Sequence, residues 1–164
     1  MTDEMQITGA QIDDDGKLLG LRVSLHNPAD RTLHAYATVR ALRYDLASRV
    51  LEVQLSDRGL AEPFGHKKFI RPRFTSIDPG GDSVLELSVP RVILRLGRGL
   101  NPIAPRLERR PAYEARYVDI ELAWATTPFY PDPRRTATGP RGALVAWAKG
   151  FARHRHERRP PSAR

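Results

Sequence analysis

A serine after paired glycines, three consecutive aspartates, a His-Arg-His triplet and a run of lysine, arginine and phenylalanine are the stretches that could do chemistry. In "GGDSV", Ser83 follows Gly80 and Gly81, but a nucleophile elbow needs a glycine two residues after the serine, and Leu85 stands there. "GRGLNP" supplies Gly97 and Gly99 without the third glycine or the strand-to-helix setting of a dinucleotide loop. Asp13, Asp14 and Asp15 precede Gly16. A calcium loop places its carboxylates at alternate positions so that they converge, so a hairpin turn is the better reading. His154 and His156 flank Arg155, and the neighbouring arginines repel a cation. No catalytic residue and no metal or other cofactor is assigned.

"HKKFIRPRF" carries Lys67, Lys68, Arg71 and Arg73 beside Phe69 and Phe74. Cations interleaved with aromatics can pair with phosphates and stack on bases, which makes these four residues a candidate nucleic-acid contact. The competing reading is an edge strand guarded by charge, with its aromatics in the core.

Charge is unevenly divided. Residues 134–164 hold nine Lys or Arg and one acid, Glu157, whereas the preceding residues hold eighteen of each sign. The formal excess of +8 therefore sits in the C-terminal segment, on a neutral body. Cysteine is absent, which removes disulfides and thiolate chemistry. The N-terminus is polar and acidic, and no apolar run approaches the roughly 20 residues of a spanning helix, so a cytoplasmic location is expected.

The elements that must position these groups read as strands. Leu19, Leu21, Val23 and Leu25 alternate with polar or small residues, as do Leu51, Val53 and Leu55, and Val118, Ile120, Leu122 and Trp124. "DDDGK" and "DPGGDS" are turns, the second with Pro79 and Gly80 at its centre. "RTLHAYATVRALRYD" reads as one long strand with His34 and Tyr36 on an exposed face, and Gly97–Pro111 as a long loop. The sum is an all-β, antiparallel, two-sheet β-sandwich of about seven strands. "IDPGGDSVLELSVP" and "LRVSLHNPADRTL" resemble the turn and early strand of bacterial immunoglobulin-like and fibronectin type III-like sandwiches. That resemblance spans roughly residues 4–127 and implies a binding or spacer role.

The division expected is a sandwich over 1–127, a proline-rich linker over 128–140, an amphipathic basic helix over 141–156 and a disordered tail over 157–164. Leu144, Trp147, Ala148 and Phe151 fall at helical spacing, although Gly150 costs such a helix about 1 kcal/mol. A chain ending near Asp132 is expected to fold alone. The function expected is a non-enzymatic adaptor or structural module that assembles with a protein partner, of another kind or a second copy. Leu144, Trp147, Phe151, Arg153, Arg155, Arg158 and Arg159 are the candidate contacts. The alternatives are phosphate-backbone binding by the same basic segment and attachment to an anionic membrane surface.

Overall fold

In a computed structural model, residues 4–56, 72–96, 107–128 and 147–159 are described. They are all-β. The strands are β1 (Gln6–Asp14), β2 (Leu18–His26), β3 (Leu33–Tyr36), β4 (Ala41–Asp45), β5 (Val50–Leu55), β6 (Phe74–Ile77), β7 (Asp82–Pro90), β8 (Val92–Leu96), β9 (Leu107–Pro111), β10 (Tyr117–Ala125) and β11 (Gly150–Glu157), with one 3-10 turn at Ala112–Glu114. They form a three-stranded sheet β1-β2-β7, a six-stranded sheet in which β4-β5-β10-β3-β6 is joined by β11 on β10, and a β8-β9 ribbon.

Alternation decides which faces meet. Leu19, Leu21, Val23 and Leu25 of β2 and Leu85 and Val89 of β7 join Leu51, Val53, Leu55, Val118, Ile120 and Leu122 from the six-stranded sheet in one core. The opposite face of the three-stranded sheet is polar, with Arg22 3.3 Å from Glu86 and His26 2.7 Å from Asp82. Asp14 and Asp15 close the β1–β2 hairpin by accepting the N–H groups of Gly16, Lys17 and Leu18. Those hydrogen bonds hold both carboxyls below the ordinary carboxylate range, with Arg91 adding to the effect at Asp14. The second turn is type II: Gly80 has φ +69°, and Gly81 N–H donates to Asp78 O at 2.9 Å.

Asn27 ties that turn to the β2–β3 connection. Fully buried, it donates Nδ2–H to Ile77 O at 2.8 Å, Asp78 O and Arg31 O, and accepts from Ala29 N–H. Its amide N–H groups and its carbonyl oxygen all have partners, so this buried amide stabilises the junction.

Several expectations are corrected. The strands number eleven among the described residues, in three sheets. Pairing is not wholly antiparallel, because β10 runs parallel to β5 from Tyr117↔Val50 to Leu122↔Leu55. The long strand after Arg31 is two, since β3 pairs with β10 and β6 whereas β4 pairs with β5, and the chain must bend between them. His34 and Tyr36 are buried, not exposed. Residues 107–111 of the expected loop are a strand against β8.

The C-terminal segment differs most. Gly150–Glu157 is a strand, not the second half of a helix, and Glu157 belongs to it rather than to a disordered tail. It pairs along β10 from Trp124↔Gly150 to Tyr117↔Glu157. Because Tyr117–Leu122 pair with β5 as well, β5 and β11 lie on opposite edges of β10. A boundary after residue 127 therefore cuts through one sheet.

Candidate interaction surface along the C-terminal strand

Two chemistries alternate along β11. Ala152, His154 and His156 stand opposite the buried Leu122, Ile120 and Val118 and so share their face, while Arg153 and Arg155 stand opposite Glu121 and Asp119 on the outer face. Arg155 grips Asp119 with two hydrogen bonds, Nε to Oδ1 at 2.6 Å and Nη2 to Oδ2 at 2.7 Å. Arg153 Nε donates to Glu121 Oε2 at 2.9 Å. Two of the basic segment's charges are thus matched by carboxylates of the chain's own central strand. Both arginines remain more than half exposed, so these pairs align the strand more than they stabilise it.

Register extends this pattern across four strands. Arg43 lies opposite Glu52, Glu52 beside Asp119, and Asp119 opposite Arg155. Glu52 has no ion pair among the described residues and sits next to a second carboxylate. This face is concave. A trough of about 670 Å³ is lined by Glu52, Gln54, Asp119, Glu121, Arg153 and Arg155 among others. It is open along its length and mixed in sign.

The aromatic anchors serve the chain's own fold. Trp147 packs edge-on against Phe74, centroids 4.9 Å apart, and Phe74 against Tyr36 at 5.5 Å. The indole N–H donates to Thr127 O at 2.7 Å. Phe151 lies partly buried against the core, opposite Ala123. Among the candidate nucleic-acid residues, Arg73 precedes β6 and is exposed. It is held through its backbone, its N–H donating to Thr38 Oγ1 and its carbonyl accepting from Ala37 N–H. Among the described residues β6 pairs with β3 alone and so lies at an edge, as the proline-interrupted sequence implies. Lys67, Lys68, Arg71 and Leu144 lie outside the described residues.

The chain continues past the last β10 pair, Tyr117↔Glu157. Arg158 N–H donates to Arg116 O, and its Nη1 donates to Tyr113 O at 2.8 Å and Ala115 O at 3.3 Å. Nearby, the Arg91 guanidinium stacks over the Tyr113 ring at 4.5 Å and faces Asp14, with Nη2 donating to Oδ2 at 3.2 Å. Its Nε lies 2.8 Å from Oδ1, but that N–H is not directed along a hydrogen bond. No group of three or more His, Asp or Glu converges as a metal site among the described residues. Nor does any helix there have the length and apolarity to cross a membrane.

Two histidines, His34 and His156, are expected to make the fold sensitive to pH. Burial pushes His156 below its ordinary 6.5, with His154 and Arg158 adding to the effect, and burial alone lowers His34. His34 also shares a 2.8 Å hydrogen bond with Ser76 Oγ. A lowered histidine pKa means that the unfolded chain binds more protons once pH drops below about 6.5. Stability is then complete above that pH and declines below it. The urea midpoint is expected to fall between about pH 7.5 and about pH 5.5. His34→Gln with His156→Gln should flatten that dependence; an equal slope in the double variant would assign it to other groups.

Compared with protein families, curated proteins and solved structures, the chain matches none of them.

Proposed function

We propose that this chain is a non-enzymatic β-sandwich adaptor or structural module, and that its C-terminal strand builds the surface a protein partner contacts. The observation that carries this reading is the mixed-charge trough over β5, β10 and β11. An open trough accepts an extended segment more readily than a small substrate, which needs a concave site that buries most of its surface. Alternating carboxylates and guanidiniums select a partner by complementary charge, and they contribute to register and encounter rate more than to raw affinity.

The aromatic residues act indirectly in this reading. Trp147 and Phe151 hold the segment on its own body, and the charged outer face of β11 meets the partner. Glu52 is the group best placed to receive a cation, because it is exposed and without an ion pair among the described residues.

A photo-crosslinking side chain at position 52 of the full chain tests this, with the same group at position 84 as control. Val84 is 50% exposed on the three-stranded sheet, away from the trough. A discrete protein adduct from position 52 is expected, absent from position 84 and lost when Arg153→Glu is added. Nucleic-acid or lipid adducts from position 52, or the same adducts from both positions, would refute the reading.

A further inference from the structure

The arginines that continue beyond β10 have lost the carboxylates that neutralise their predecessors. The ladder ends at Tyr117↔Glu157, so Arg158 and Arg159 have no acidic residue of β10 opposite them. Arg158 is held by two carbonyls, which fix its guanidinium without cancelling its charge. Arg49 reaches the same place from the β4–β5 turn. Its backbone is left-handed, at φ 57°, and its carbonyl accepts the N–H groups of both Arg116 and Tyr117. Arg49 and Arg159 have no ion pair among the described residues. Two elements thus bring Arg49, Arg158 and Arg159 to one open cleft of about 450 Å³, also lined by Tyr113, Glu114, Arg116 and Glu157.

We propose that this cleft receives an acidic segment of the protein partner, its Asp or Glu side chains pairing with Arg49, Arg158 and Arg159. The proposal rests on the protein-partner reading above and supplies the chemistry of one contact. Guanidinium forks match carboxylates in two parallel hydrogen bonds, the geometry this chain already uses between Arg155 and Asp119. Glu114 and Glu157 line the same cleft. Glu157 is 3.6 Å from Arg116, while Glu114 has no ion pair among the described residues. A uniformly anionic nucleic-acid backbone meets repulsion at Glu114. A polypeptide can set acids on the arginines and a neutral or basic residue beside that carboxylate. The mixed lining therefore favours a polypeptide.

The experiment is a titration of the isotope-labelled full chain, followed by amide chemical shifts. The probes are a short peptide of alternating Glu and Gly and an oligothymidylate of matching charge, at the same salt concentration. The peptide is expected to shift residues 49, 113, 114, 158 and 159, and to bind more tightly than the oligothymidylate. Arg49→Gln with Arg159→Gln should weaken it about ten-fold or more, as expected for two charge-assisted contacts. Glu114→Gln should tighten it. Removing the same two charges at Arg22 and Arg31, exposed arginines outside the cleft, should change affinity less than about two-fold, the size of a screened long-range effect. An equal loss from that control pair, tighter oligothymidylate binding at these residues, or no shifts there would each overturn the proposal. If position 52 still crosslinks a protein in that case, only the acidic-segment inference fails. Loss of that crosslink refutes the protein-partner reading itself.

Discussion

A chain ending at Asp132 is expected to lose cooperative unfolding rather than to yield a stable body. The truncation removes β11, an eight-residue strand whose whole length pairs with β10. At about 0.5–1.5 kcal/mol net per backbone hydrogen bond, the lost ladder is comparable to the total stability of an ordinary domain, about 5–15 kcal/mol. It also removes Ala152 from the core and Trp147 from Phe74, and it leaves one edge of β10 without a partner strand. Circular dichroism melts and near-ultraviolet spectra should show a broad, weak transition in the truncated chain. Adding a synthetic peptide of residues 146–164 should restore a sharp one. Full cooperativity in the truncated chain without peptide would mean that β11 is an appendage to the sheet.

The second large effect is expected at Gly150. A Cβ built there would lie 2.7 Å from Trp124 Cζ2, 2.9 Å from Cε2 and 3.0 Å from Nε1. The indole lies over the glycine at the first pair of the β10–β11 ladder, where an aromatic covers backbone that a side chain would otherwise shield. Trp124 is only 7% exposed, so its ring has little freedom to yield. Gly150→Ala should cost about 1–3 kcal/mol and Gly150→Val more, the range expected for overpacking a filled site. Trp124→Leu alone should also destabilise, by leaving a cavity. In the double variant the costs should fall short of their sum, because removing the ring removes the clash. Denaturant midpoints of the four chains measure that coupling. Strict additivity would show that the two residues do not meet.

Much of the architecture was legible before any coordinates. Strands β2, β5 and β10 announce themselves through alternating Leu, Val and Ile, because a strand facing a core on one side must place every second residue in it. The Pro79-Gly80 turn was legible because proline presets one dihedral and glycine alone adopts the next without strain. β11 was not. Its core-facing residues include His154 and His156, which break the apolar alternation. The helical spacing of Trp147, Ala148 and Phe151 runs across the start of the strand, since Phe151 lies in β11 opposite Ala123 whereas Trp147 precedes it.

By itself the sequence determined the local facts: the all-β character, the main turns and the concentration of charge after residue 133. These depend on neighbours in the chain, and physics at that range is written in residue order. Tertiary structure decided what the charge is for. Arg153 and Arg155 meet Glu121 and Asp119 across more than thirty positions, which only the register of β10 on β11 brings about. The same register ends at Glu157 and so leaves Arg158 and Arg159 beside Arg49. A strand's partner is chosen by the burial and hydrogen bonding of the whole sheet. That choice turned a basic tail into a structural strand with an arginine-lined end.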